Sequence, residues 1–173
     1  MKIYYVRHGQ TDWNLAKKMQ GGGTEKKLNS TGIVQANETK SKLENIKFDI
    51  VICSPMHRAI QTAEIINKNR NIPMITDERI RERKLGEFEG HEITEEMEKR
   101  IWDYDLNYQI PGGENLHEFE KRILDFLDDI KKKYEGKTVL IVAHGGVAKI
   151  LKAHLYGMPK SKDLSEIEMK NCE

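Results

Sequence analysis

Three short clusters in the 173-residue chain carry side chains that could do chemistry: Arg7-His8-Gly9, Ser54-Pro55-Met56-His57-Arg58 and His144-Gly145-Gly146. Two guanidiniums can bind a tetrahedral dianion bidentately, and two imidazoles with nearby backbone N–H groups supply further donors. Phosphate is the ligand such a set suits. Gly9, Gly145 and Gly146 would let the backbone come close, and helices following the clusters would aim their N-termini at the anion. Two adjacent guanidiniums disfavour a third positive charge, so His8 should be neutral near neutral pH and able to act as a nucleophile.

Each cluster follows an apolar run rich in β-branched residues: Ile3 to Val6, Ile50 to Cys53, and Val139 to Ala143. Continuous runs of this kind suit a parallel sheet covered on both faces. In such sheets ligands bind outside the carboxyl ends of the strands, where the three clusters would converge. Met74 to Thr76, after Pro73, is a weaker fourth strand candidate. Helical patterns fill the gaps: Ser30 to Asn45, with hydroxyls at its start and Val34, Ala36, Leu43 and Ile46 as a loose apolar set; Arg58 to Asn67; Leu116 to Tyr134; and Val147 to Tyr156. The third is the clearest, with Leu116, Phe119, Ile123, Phe126, Leu127, Ile130 and Tyr134 at helical spacing, an Asn115/Glu118 capping box ahead and Gly136 just beyond. Strands alternating with helices predict an α/β fold, a three-layer α/β/α sandwich with a mainly parallel central sheet in one domain spanning residues 1–173.

Composition narrows the partners. Lysine and arginine number 29 against 28 aspartates and glutamates, so the overall field gives no reason to expect nucleic acid or an anionic membrane. The basic run Lys131 to Lys133 falls at a predicted helix end, where cations complement the dipole. Met1 to Val6 is too short for a signal peptide or a span, and no apolar run approaches the roughly eighteen residues a membrane helix needs. Cys53 and Cys172 lie far apart and form no disulfide framework, so the expected location is the cytoplasm. No metal-ligand spacing is present, and no cofactor is expected; His57, His91, His117 and His154 read as surface or packing residues.

Arg7-His8-Gly9-Gln10-Thr11 with Asn14 resembles the RHG signature of the histidine phosphatase superfamily, also called phosphoglycerate mutase-like. Four further blocks agree in order: Leu28 to Ala36; Ser54-Pro55 through Arg58 to Ala63; Glu82 with Leu85-Gly86 and Glu89-Gly90; and Pro111-Gly112-Gly113-Glu114 with His144-Gly145. The resemblance spans residues 3 to 157 and implies a phosphoglycerate mutase-like fold. It makes His8 the nucleophile that becomes a phosphohistidine, Arg7, Arg58 and His144 the grip on the phosphoryl oxygens, and Glu82 the acid that protonates the leaving alcohol and later deprotonates water. Glu78, Glu87 and Glu89 lie close by. Glu82 is preferred because the family's other branch draws its acid from an aspartate directly after the second histidine, and Gly145 fills that position here. Asn14, Gln10, Thr11 and Gly145 are expected to bind phosphate or shape the loop around it.

The activity this resemblance implies is metal-independent hydrolysis of a small phosphorylated metabolite. Transfer of the phosphoryl group, as in the cofactor-dependent phosphoglycerate mutases, is the alternative. Those mutases carry an Arg-Arg pair in the lid region, whereas between Gly90 and Pro111 this chain has Lys99-Arg100 as its only cations. A non-catalytic phosphate-binding module is the third reading. The lid stretch also holds Met97, Trp102, Tyr104 and Tyr108, which would either contact the alcohol or pack the lid on the sheet. Two departures from the family pattern limit the substrate reading: Glu25-Lys26-Lys27-Leu28 stands where an aspartate is common, and many relatives continue with another strand after Asn171. The short C-terminus at Glu173 would either remove a sheet edge or leave one for a second protomer of a homodimer to cover.

Overall fold

The computed structural model describes residues 1–173. Its sheet consists of β1 (Lys2–Arg7), β2 (Ile50–Cys53), β3 (Met74–Thr76) and β4 (Thr138–Ala143), all parallel, in the order β1-β4-β2-β3. The register places Val6, Val142 and Cys53 in one row. His8, Ser54 and His144 therefore leave the sheet within a residue or so of one another, which is the convergence the sequence predicts.

The central strands are apolar throughout because both faces are covered. On one face Ile50, Ile52, Val139, Ile141 and Ala143 pack against α5 (Leu116–Lys133) and α6 (Gly145–Tyr156). On the other, Val6, Val51, Cys53, Leu140 and Val142 meet Phe48 and the Ala63–Ile66 face of α3 (His57–Asn67), with Leu43 and Ile46 at the margin after α2 (Ser30–Lys42). The result is the three-layer α/β/α sandwich.

Helix α5 shows what holds the layers. Leu116, Phe119, Ile123, Phe126, Leu127 and Ile130 are all buried. At about 1.5–3 kcal/mol for each large side chain, that face outweighs the roughly 1 kcal/mol of its cap. The predicted capping box between Asn115 and Glu118 is present, and Gly136 takes a positive φ of 73° beyond the helix end.

Several boundaries differ from expectation. Helix α2 stops at Lys42 instead of Asn45, and it is capped by the Asn29 side chain accepting from Gly32 N–H, not by a hydroxyl. Its Val34 is exposed, and the buried positions are Gly32, Ala36 and Thr39. Two short helices were not legible: α1 (Asp12–Leu15), capped by Thr11, and α4 (Glu95–Trp102), which buries only Ile101 and Trp102. The end of β1 is not left open either. Arg7 N–H donates to Glu173 O, and Cys172 N–H donates to Arg7 O. No helix is long and apolar enough to cross a membrane.

Candidate active site

A cleft of about 630 Å³ opens at the carboxyl ends of β1 and β4. Arg7, the last residue of β1, and His8, the first beyond it, line the cleft together with Asn14, Glu82, Gly145 and Gly146. Arg58 stands directly behind them, fully buried in the first turn of α3. His144, the cap residue of α6, is also fully buried, its ring centroid 5.3 Å from that of His8.

The hydrogen bonds assign the protonation of His8. Its Nδ1 lies 2.7 Å from Gly9 O, and since a carbonyl only accepts, Nδ1 carries the proton. Nε2 is left with a lone pair, toward which Arg58 Nε–H points at 3.3 Å. Burial, then the charges of Arg58 and Arg7, hold His8 well below the ordinary imidazole value of 6.5. His144 is depressed for the same leading cause, followed by Arg58, His8 and Arg7. Both rings are therefore neutral around pH 7.

Each guanidinium is partly committed to the protein. Arg58 Nη1 donates to Thr24 O at 2.9 Å and Nη2 to Gly21 O at 3.3 Å, and burial pushes its pKa down to about 10. Arg7 Nη1 donates to Met169 O at 2.6 Å, while Arg7 Nε is buried with no partner in the protein. His144 Nε2 meets Ser54 Oγ at 2.7 Å, and its Nδ1 is likewise buried without a partner. A buried donor left unpaired is costly, so Arg7 Nε is suited to an anion that supplies its acceptor.

Glu82 faces the same cleft from the segment after the turn Glu78–Ile80. Its carboxylate accepts from Arg83 N–H at 2.9 Å and from Gly146 N–H, in the first turn of α6, at 3.0 Å. Gly146 has to be glycine, because an added Cβ would come 2.9 Å from Trp102 Cη2 and 3.1 Å from Glu82 Cδ. No group of three His, Cys, Asp or Glu side chains is placed to hold a metal ion.

The model of the histidine phosphatase superfamily, branch 1, matches residues 3–173. The chain belongs to that superfamily. It is 41% identical over 155 residues to an uncharacterized phosphatase, PhoE, of Bacillus subtilis, covering 90% of this chain and 77% of that one. Over 178 residues it is 30% identical to the probable phosphoglycerate mutase GpmB of Proteus mirabilis, covering 99% and 82%. Among solved structures, Bacillus stearothermophilus YhfR superposes with a TM-score of 0.87 at 32% identity, covering 98% of this chain and 86% of YhfR. The family and the phosphatase-named relative mark the protein as an enzyme of the phosphatase kind.

Within this histidine phosphatase, not every residue singled out from sequence reaches the cleft. Gln10 and Thr11 do not line it. Gln10 ties the loop to Gln35 and Asn29, and the Thr11 hydroxyl caps α1 and donates to Gln20 Oε1 at 2.8 Å. Of the lid residues, Trp102 lines the cleft, whereas Tyr108 stacks on Phe88 and Tyr104 donates to Glu120. Lys99 pairs with Glu95, and Arg100 lies over the Tyr108 ring, so neither cation lines the cleft. His57, His91, His117 and His154 are exposed.

Other residues enter without a clear sequence signal. Tyr5 donates from its hydroxyl to His144 O at 2.6 Å. Arg83, fully buried, lies over the Trp102 ring and donates to Glu114 O. The segment 168–171 forms one wall of the cleft; its Asn171 donates to His8 O at 2.9 Å, and Lys149 holds the turn before it through Leu164 O, Ser165 O and Ile167 O. Ser54, the partner of the His144 ring, differs from these in standing inside the second of the polar clusters.

Proposed function

We propose that the enzyme is a metal-independent phosphomonoesterase that hydrolyses a small phosphorylated metabolite through a phosphohistidine on His8. The observation that carries this reading is the state of His8 at the cleft wall: Nδ1–H is given to Gly9 O, which leaves Nε2 unprotonated with a lone pair that Arg58 Nε–H orients. The residue roles follow the order of bond changes. His8 Nε2 forms a bond to phosphorus as the ester P–O bond breaks, and Glu82 gives its proton to the departing alcohol oxygen. Water then attacks phosphorus, Glu82 takes the proton, and the P–N bond breaks to release inorganic phosphate. Arg7, Arg58 and His144 stabilise the phosphoryl oxygens in both steps, with Asn14 and Gly145 N–H beside them.

Hydrolysis is favoured over transfer because Lys99 and Arg100 are engaged away from the cleft, leaving the lid without a basic pair for a second acidic group. Both cysteines are free and buried, as a reducing compartment would keep them, and this reading places the enzyme in the cytosol.

The test is inorganic phosphate release from 3-phosphoglycerate, phosphoserine, α-ribazole phosphate and p-nitrophenyl phosphate in excess chelator, with His8→Ala alongside. Release that survives the chelator and disappears in the variant is expected. Conversion of 3-phosphoglycerate to 2-phosphoglycerate without release would establish the mutase instead, and vanadate binding without turnover of any ester would establish a binding module. Loss of activity in chelator with rescue by a divalent metal would refute the metal-free reaction.

A further inference from the structure

Arg58 does not choose its own orientation. Both of its terminal nitrogens end on carbonyls of the loop Gly21–Thr24, which comes from a distant part of the chain. Whatever holds that loop holds the guanidinium.

The loop is held by Glu89. One carboxylate oxygen accepts from Gly23 N–H at 3.1 Å and from Leu85 N–H at 3.0 Å, and the other accepts from the Thr24 hydroxyl. The three consecutive glycines are what permit this approach. A Cβ on Gly21 would lie 2.8 Å from Arg83 O and 2.9 Å from Glu89 Cδ, and one on Gly22 would lie 3.2 Å from the carbonyl carbon of Glu82. Gly22 N–H also donates to Arg83 O at 2.8 Å. The loop that orients Arg58 is thus fastened to the segment that carries Glu82.

We infer that Glu89 is a positioning residue that acts through the Gly21–Thr24 loop to set Arg58 against His8 and Glu82. This rests on the reading of Arg58 as a phosphoryl ligand. Glu89 does not line the cleft and touches no reacting atom. Its carboxylate bridges the loop behind the phosphate grip and the turn behind the acid. Losing it releases Gly23, Thr24 and Leu85 together and lets the guanidinium swing.

Orthovanadate, a phosphoryl mimic, is the probe, with competitive inhibition of p-nitrophenyl phosphate hydrolysis as the readout, well below each variant's Tm. Glu89→Ala is expected to raise the vanadate Ki about tenfold, the scale of losing one charge-assisted hydrogen bond at the ligand. Glu89→Gln should stay within roughly threefold, because its carbonyl keeps both backbone donors and the Thr24 hydroxyl can turn to accept from the amide. In an Arg58→Ala background, Glu89→Ala should add less than about twofold, since the two residues act in series.

An unchanged Ki in folded Glu89→Ala, or a full tenfold effect in both backgrounds, overturns the inference. If Glu89→Ala does not fold, Thr24→Val serves in its place. It removes one of the three bonds and should raise Ki about threefold without a matching fall in Tm; no rise overturns the inference. Arg58→Ala with unaltered vanadate affinity would instead refute Arg58 as a ligand, a failure separable from that of Glu89.

Discussion

If Glu82 is the acid proposed above, replacing Gly146 by alanine should separate acid catalysis from phosphate binding, because this residue touches Glu82 twice. Its N–H donates to Glu82 Oε2 at 3.0 Å, and its Cα leaves no room for a methyl beside the same carboxylate. An alanine Cβ would meet Glu82 Oε1 far inside van der Waals contact and Trp102 Cη2 at 2.9 Å. The indole is packed in the core next to Phe119 and under Arg83, so it yields little, and the carboxylate must retreat by roughly 1 Å. General acid catalysis contributes about 10²–10⁴-fold, and a misplacement of about 1 Å can cost on the order of 10²-fold. The loss should depend on the leaving group. For an alkyl phosphate such as 3-phosphoglycerate, whose alkoxide needs a proton to depart, kcat/KM should fall about 100-fold. For p-nitrophenyl phosphate, whose phenolate leaves unaided, kcat/KM should fall less than about fivefold. The ratio kcat/KM is the quantity to compare because, on the proposed mechanism, it reports phosphoenzyme formation and omits the later water attack, in which Glu82 would act again. Vanadate inhibition should persist, since Arg7, Arg58 and His144 stay in place. Equal losses for both leaving groups would refute the assignment of Glu82 as the acid.

Stability should depend on pH through the two histidines. Both are held neutral in the fold, well below 6.5, by burial first and then by Arg58, so the unfolded chain binds more protons than the folded one as the pH falls. The stability they contribute is present above about pH 6.5 and is lost as the pH drops below that toward their folded values. Urea midpoints should therefore decrease on the acid side, less steeply in His144→Asn, and a flat wild-type profile would contradict the neutral state. Ser54→Ala removes the only partner of the His144 ring, whose Nδ1 has none. A buried imidazole with neither nitrogen bonded should cost about 1–3 kcal/mol in thermal unfolding, and a change below roughly 0.5 kcal/mol would show that the Ser54 contact carries no weight.

The strands β2 and β4 and the helix α5 were legible because their signals are local. Four or five consecutive buried apolar residues, or six apolar residues at helical spacing behind an Asn115/Glu118 box, leave few alternatives. Helix α4 was not legible: it is eight residues long, mostly charged, and held by Ile101 and Trp102 at its end. Val34 belongs to the apolar set of α2 by sequence but is exposed, because the helix buries small residues instead. Gly32 and Ala36 face inward, with Gly32 pressed against the Gln10 backbone.

By itself the sequence determined which residues could handle a phosphoryl group and at which ends of which elements they stand, since motif chemistry and strand-end position are both properties of short stretches. Tertiary structure decided how those residues are aimed. The His8 tautomer, the retention of Glu82 by the first turn of α6, the capture of Arg58 by the Gly21–Thr24 loop and the bond from Asn171 to the His8 carbonyl, 163 positions away, join segments with no shared periodicity. Such contacts form only when the closed fold brings the backbones within hydrogen-bonding reach, and no local pattern of residues encodes that distance.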